Sequence, residues 1–275
     1  MSELLQTTPS AGRVLIVAGS DCSGGAGLQA DLKTVTVLGG YGMTAITAIT
    51  VQNTLGVSAV HDLPVDLIKA QAHACLEDIG ADAIKLGMLS RVPVIEAVAS
   101  VLDRCPFVPV VADPVMVAKG GASLLQSEAV AALTTLILPR AALLTPNAPE
   151  AAVLTGLAVE TPDQMRAAGA RLLAMGARAV LMKGGHVPGD TVTDLLMTSD
   201  EETRFDSPRI DSRHTHGTGC TLASACATGL AKGLSLTDAV RAAHAYVQGA
   251  IRHAPGLGGG HGPLGHGWVL GDSTV

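Results

Sequence analysis

The residues Val14-Leu15-Ile16-Val17-Ala18 form an unbroken apolar run that gives way to the glycine-rich stretch Gly19–Gly27. Continuous apolarity without polar alternation predicts a strand buried on both faces. A helical spacing follows at Leu28, Asp31, Leu32, Val35 and Leu38. Strand-like segments recur at Ala45–Val51, Ala83–Leu86, Val108–Ala112, Ala142–Leu144 and Ala179–Met182, with helical stretches at Leu67–Ile79, Pro93–Leu102, Glu128–Leu138 and Thr161–Met175. Short buried strands alternating with helices predict an α/β fold, a mainly parallel central sheet covered by helices on both faces. Thr191–Met197 and Glu202–Phe205 read as a more polar β-pair, and two helices follow at Cys220–Lys232 and Leu236–His253. No repeat or long linker divides the chain. One domain over residues 1–275 is expected, with loose termini at 1–12 and 256–275.

Composition narrows what this sheet can do. Only 15% of residues are charged, 48% are hydrophobic and the net charge is −6; mean hydropathy is +0.39. Such a chain has ample aliphatic surface to bury and is not expected to be disordered. With that charge and five aromatic residues, nucleic acid is not an expected partner. No segment approaches the ~20 apolar residues of a spanning helix. The N-terminal stretch lacks the basic and apolar regions of a secretory signal, which gives the expectation of a cytoplasmic protein with no membrane partner. None of the five cysteines forms a CxxC pair, so neither a zinc site nor a disulfide framework is expected. Gly258–His261 and His266 raise metal binding as a thought, but a loose glycine-rich tail is the plainer reading.

Several motifs place polar chemistry at strand ends. In His214–Thr221, Gly217 and Gly219 bracket Thr218 immediately before a helix. Small residues there let successive amides point into one space, and the helix N-terminus adds about half a positive charge, making an anion hole. Cys220 at that helix mouth is expected to have a pKa below the unperturbed value of about 8.5, and to receive or position a proton. An ordinary helix start with a buried cysteine is the alternative. The Gly19–Gly27 loop lacks a Walker lysine, so it is no P-loop. Asp31 on the following helix would point back toward a substrate, unless it is a plain surface residue. Asp113 ends a buried strand, the edge at which open α/β sheets bind ligands. Lys119-Gly120-Gly121 adds a cation on flexible backbone. Asn147 and Glu150, three apart at a helix start, suit Mg²⁺, although Glu150 also reads as a favourable helix-terminal charge. Lys183 ends another strand, followed by Gly184, Gly185 and His186.

Six ordered motifs then carry a resemblance: the run from Ala18 to Thr54, KLGML, ADPVM, TPNAPEA, LMKGGH and HGTGC. Over roughly residues 13–255 the chain resembles the hydroxymethylpyrimidine and phosphomethylpyrimidine kinases of thiamine biosynthesis. That family implies a ribokinase-like three-layer sandwich. The resemblance implies that Gln52 hydrogen-bonds a pyrimidine, that Asp31 and Met88 line its pocket, and that Gly19 approaches the substrate through its backbone. It places Asp113, Lys119, Lys183 and Thr218 beside ATP, Asn147 and Glu150 at Mg²⁺, and Gly217, Gly219 and Cys220 in a catalytic anion hole. Departures are Cys22, where serine is more usual, and the composition of the tail after Pro255.

The implied reaction moves the γ-phosphate of ATP onto the hydroxymethyl group of 4-amino-5-hydroxymethyl-2-methylpyrimidine, then a second phosphate onto the monophosphate. Pyridoxal kinase is the alternative within the class. Many ribokinase-like kinases carry Asp where this chain has Cys220, and that and Gln52 favour the pyrimidine. A pyrimidine sensor without catalysis is the alternative of another kind, but it would not need both the anion hole and the Mg²⁺ element. A homodimer is expected. With few aromatics for ring stacking, Gln52 would carry much of the selectivity.

Overall fold

The computed structural model describes residues 11–117, 121 and 124–271. One nine-stranded sheet runs through it in the order β3-β2-β1-β4-β5-β6-β7-β8-β9. The strands are β1 (Arg13–Asp21), β2 (Tyr41–Asn53), β3 (Gly56–Asp62), β4 (Ala83–Leu86), β5 (Val110–Ala112), β6 (Leu143–Leu144), β7 (Val180–Met182), β8 (Thr191–Met197) and β9 (Glu202–Pro208). From β2 through β7 neighbours run parallel. The antiparallel strands β3, β8 and β9 lie toward the two edges.

Alternate side chains of the central strands go to opposite faces, as strand geometry demands. Leu15, Val17, Ile84, Leu86, Val110, Leu144, Val180 and Met182 enter one aliphatic core, with helices α2 (Val65–Asp78), α3 (Val92–Leu102), α4 (Ala129–Ala132), α5 (Ala148–Thr155) and α6 (Pro162–Ala174). Val14, Ile16, Ala18, Ala83, Val111, Leu143, Ala179 and Leu181 enter the other, with α1 (Gly27–Val37), α7 (Thr218–Ala231) and α8 (Leu236–Arg252). The three layers match the expected architecture. Between Ile137 and Arg140 the helix after α4 tightens into a 3₁₀ turn at Pro139, because proline has no amide to donate.

Strand β3 is not legible from side-chain pattern. Most of Gly56–Asp62 is exposed on both faces, and its pairing with β2 alone makes it a strand. The C-terminal expectation is corrected. Residues 256–271 are not loose: Leu264 and His266 are buried, and Trp268 stacks on His253 at a centroid distance of 5.4 Å. The expected loose residues 1–10 and 272–275 lie outside the described residues.

Strand order reverses between β1 and β4, which makes their carboxyl ends a topological switch point where ligands of open α/β sheets bind. A lysine lies on the strand at that point. Lys85, fully buried, places Nζ 2.7 and 2.9 Å from the carboxylate oxygens of Asp31 on α1. Ser224 of α7 donates to the same carboxylate at 2.6 Å. Burial alone would lower the lysine pKa, but Asp31, Cys220 and Asp113 outweigh it and raise it. The pair therefore pins α1, β4 and α7 together beneath the sheet's working edge. Lys85→Met should cost roughly 3–5 kcal/mol in urea unfolding, because a buried carboxylate loses its partner. The double variant Asp31→Leu/Lys85→Met should recover most of that loss; a double variant no more stable than the single one would contradict the pairing.

Candidate active site

The carboxyl ends of β1, β4, β5, β6 and β7 form one edge, and most of the sequence-derived candidates collect there. Gly19 and Met88 face one another: a Cβ on Gly19 would lie 3.0 Å from the Met88 sulfur. Thr50 of β2 donates to the carbonyl of Ser20 at 2.9 Å and lies 3.1 Å from the Gln52 side-chain oxygen, so the end of β2 is fastened to the end of β1. Cys22 adds a second fastening, its thiol 3.1 Å from the Gln52 carbonyl and 3.4 Å from the Gln52 amide.

Two helix N-termini converge at the centre of this edge. Gly217 has φ 82° and packs so closely on the first loop that a Cβ would sit 1.9 Å from the Gly25 carbonyl oxygen; only glycine fits. The backbone amide of Gly27 at the start of α1 lies near enough to Cys220, in the first turn of α7, to favour its charged form. Partial positive charge from both helices therefore faces one space. Thr218 turns its hydroxyl back to the carbonyl of Thr215 at 2.8 Å, so the loop holds its own shape.

Next to the loop lies a buried charge cluster. Lys183 Nζ stands 2.7 Å from Asp113 and 3.7 Å from Glu150, and a Cβ on Gly219 would be 3.1 Å from that ammonium. Thr145 donates to Asp113 at 3.2 Å. Asn147 and Glu150 form a reciprocal capping box on α5: the Asn147 oxygen accepts from the Glu150 amide at 2.9 Å, and Glu150 accepts from the Asn147 amide at 2.7 Å. Burial lifts the Glu150 carboxyl to about 7, with Asp113 adding to the rise and Lys183 opposing it. Lys183 goes up because Asp113 and Glu150 outweigh its burial.

Two sequence expectations change. Asp31 lines no pocket: it is fully buried beneath the edge, spent on Lys85 and Ser224. The Cys220 thiol is not acidified. Burial pushes it up to about 12; Lys85 and the Gly27 amide pull it down, while Asp31 and Asp113 push it further up. A helix terminus shifts a pKa modestly, and desolvation with two carboxylates nearby exceeds it. Lys119 lies outside the described residues. The remaining candidates, Gln52, Gly19, Met88, Asp113, Lys183, Thr218, Asn147, Glu150, Gly217, Gly219 and Cys220, all sit along this edge.

Sequence reasoning missed the residue that joins the two halves. Buried His216, one residue before Gly217, places Nε2 2.9 Å from Asp21 and 3.3 Å from the Gln52 amide nitrogen. With Asp21 as acceptor that ring nitrogen carries the proton, so it has no lone pair for the Gln52 amide, whose N–H groups stay available to a ligand. Burial pushes the Asp21 carboxyl up, but hydrogen bonds from His216, Ser23 and Ala26 prevail and bring it to about 2. The place of His216 against the GTG motif was the available signal. Lys85, a lone cation in an apolar strand, was another.

The family comparison matches this arrangement. The model of the phosphomethylpyrimidine kinase family matches residues 21–265. The chain belongs to that family. It is a phosphotransferase, and its fold is ribokinase-like. It is 52% identical over 94% of its length to a hydroxymethylpyrimidine/phosphomethylpyrimidine kinase of Streptomyces coelicolor, covering 96% of that protein. Among solved structures it is similar to a Bacillus subtilis pyridoxal kinase in an ADP complex, at 37% identity and TM-score 0.89, covering 95% of this chain and 99% of that one. A phosphomethylpyrimidine kinase of Clostridium difficile gives 42% identity and TM-score 0.78, covering 87% and 99%. The family match extends ten residues beyond Pro255, so much of the tail whose composition looked unusual is part of this kinase's match.

The neutral thiol of Cys220 has a direct consequence. With its pKa pushed up by burial it holds far less thiolate at pH 7.5 than an unperturbed thiol does. Iodoacetamide labelling followed by peptide mass spectrometry should therefore find exposed Cys22 modified first and Cys220 spared. Early labelling of Cys220 would contradict the assignment.

Proposed function

We infer that this kinase phosphorylates the hydroxymethyl group of 4-amino-5-hydroxymethyl-2-methylpyrimidine, and then the resulting monophosphate, with ATP as donor. The convergence of two helix N-termini on the loop Gly217–Cys220, with Gln52 3.3 Å from His216 beside that loop, carries this reading. Phosphoryl transfer needs positioning and a place for charge spread over the transferred oxygens more than it needs covalent chemistry. The amides of Gly217, Thr218, Gly219 and Cys220 would hold the γ-phosphate, and Lys183 would face the nucleotide phosphates. Gln52 would take the pyrimidine edge, with Gly19 and Met88 forming the wall beside it. Asp113 and Lys119 belong to the ATP side in the same reading.

The donor set at Glu150 fits Mg²⁺. Among the described residues no three or more His, Cys, Asp or Glu are grouped to hold a metal, and Mg²⁺ commonly binds through one or two carboxylates plus phosphate oxygens and waters. Glu150 and Asp113 offer such carboxylates across Lys183, and the raised Glu150 marks a place short of positive charge. Asn147, whose oxygen caps its own helix and fixes Glu150, keeps a second lone pair for the ion or its waters. When bound, Mg²⁺ would neutralise phosphate charge. A raised carboxyl must lose its proton to take a cation, so the Mg²⁺ requirement should ease as pH rises through about 7. Glu150→Gln should abolish that pH dependence in Mg²⁺ titrations of the rate; an unchanged profile would remove Glu150 from the metal site.

Cys220 enters the reaction as a thiol, so it would aim the attacking hydroxyl rather than strip its proton. Cys220→Ser should then keep activity within about ten-fold while Cys220→Ala loses on the order of a hundred-fold or more. Equal losses would favour a thiolate base instead. Gln52→Ala should raise the KM for the pyrimidine by ten-fold or more, on the order of one lost hydrogen bond to a buried edge, with the KM for ATP unchanged.

Pyridoxal is the competing substrate, since structural relatives include pyridoxal kinases. Incubation with ATP and Mg²⁺ against the pyrimidine alcohol, its monophosphate and pyridoxal, with products identified by mass spectrometry, decides between them. Preferred turnover of both pyrimidines is expected; preferred turnover of pyridoxal would overturn the reading. A cytoplasmic homodimer with no nucleic-acid partner belongs to the same proposal. Exposed Ile49, Val51, Leu55 and Val60 on the β2–β3 hairpin support the dimer, and sedimentation at twice 27.7 kDa would establish it. Among the described residues no helix is long and apolar enough to cross a membrane.

A further inference from the structure

The C-terminal segment touches both halves of the site. Leaving α8, it first meets the tip of the β2–β3 hairpin, two residues beyond Gln52. The His261 amide donates to the Thr54 carbonyl at 2.8 Å, and the Gly260 amide to the Thr54 hydroxyl at 3.3 Å. It then runs beside the anion loop, where His216 donates to the Gly262 carbonyl at 3.1 Å and pairs with Pro263. Finally His266, buried, places Nε2 3.0 Å from the hydroxyl of Thr221, the residue after Cys220.

Its anchorage uses scarce side chains. The chain has one Trp and two Tyr. Trp268 packs between α8 groups: its ring stacks on His253, its Nε1 donates to the Tyr246 carbonyl at 3.1 Å, and Tyr246 donates its hydroxyl to the His266 carbonyl at 2.7 Å. A Cβ on Gly249 would fall 2.1 Å from the indole, so α8 keeps a glycine where the ring lies. Burial and the Lys33 charge lower His266 to about 4, so the ring stays neutral and its contact with Thr221 persists through the physiological range.

We propose that residues 256–271 are a brace that sets the spacing between the pyrimidine-side hairpin and the phosphate loop, with Gly260 and His266 as its two positioning residues. Each end governs a different half of the reaction. At Gly260 a Cβ would meet the Thr54 carbonyl oxygen at 2.1 Å, so alanine there pushes the hairpin away. At His266 loss of the ring releases the first turn of α7 while the hairpin contact stays.

The proposal rests on the functional reading above, and its test separates the two. Gly260→Ala should raise the pyrimidine KM about five-fold or more at unchanged KM for ATP, whereas His266→Ala should lower kcat about ten-fold with the pyrimidine KM within about two-fold. His266→Gln, which restores a hydrogen-bonding side chain, should recover most of that kcat. Amide exchange read without substrate should quicken at residues 214–221 in Gly260→Ala and His266→Ala. Emission of the sole tryptophan reports whether the brace stays docked, and should hold in Gly260→Ala. Unaltered exchange at 214–221, or kinetic losses that merely scale with the folded fraction, would overturn the brace. If the wild type spares the pyrimidine, the functional reading fails while the exchange result still decides this one.

Discussion

A buried lysine, Lys85, lies where the strand order of the sheet reverses, and its pairing with Asp31 and, through Asp31, with Ser224 fixes three elements at once. Ser224 is one helical turn from Cys220, so the turn of α7 behind the anion loop is anchored by a bond to a buried carboxylate. The same carboxylate fixes α1, and the loop that leads into α1 packs at Gly25 directly on Gly217. The anion site is thus assembled from two helix ends held in register from beneath. Breaking one partner of such a pair costs far more than the pair gains over apolar packing, which argues that its value lies in fixing positions.

Above that floor, electrostatics divides the edge. Lys183 with Asp113 and Glu150 makes a compact, nearly compensated cluster beside Gly219. Incoming phosphate oxygens and a cation would complete its charge. On the other side, His216 bonds Asp21 and lies 3.3 Å from the Gln52 amide nitrogen, so the phosphate loop and the pyrimidine side adjoin there without sharing a bond. Recognition by edge hydrogen bonds suits a protein whose few rings lie elsewhere: Tyr246 and Trp268 anchor the tail, and Phe107 is almost wholly exposed.

The strands buried on both faces were legible because their apolar runs have no competing pattern. The motif order carried the family, and most of the candidate residues reach one edge because strand ends of a parallel sheet point the same way. What escaped the sequence has physical causes. β3 is held by backbone pairing, which leaves no side-chain signature. The tail reads as glycine-rich coil because its order comes from contacts distant in sequence, with Thr54, His216 and Thr221. Asp31 looked like a surface or substrate residue because its partner, Lys85, is fifty-four positions away. The Cys220 thiol was misjudged since a helix terminus is visible in sequence and desolvation is not.

The central claim is that the helix N-termini of α1 and α7 form the phosphate site and Gln52 the pyrimidine site of one reaction centre. The most direct test is a crystal structure with the pyrimidine alcohol, Mg²⁺ and a non-hydrolysable ATP analogue. The account predicts the terminal phosphate within hydrogen-bond distance of the Gly217–Cys220 amides and the pyrimidine edge on Gln52, with its hydroxymethyl group facing that phosphate. A terminal phosphate bound away from the α7 N-terminus, or a pyrimidine that leaves Gln52 untouched, would contradict it.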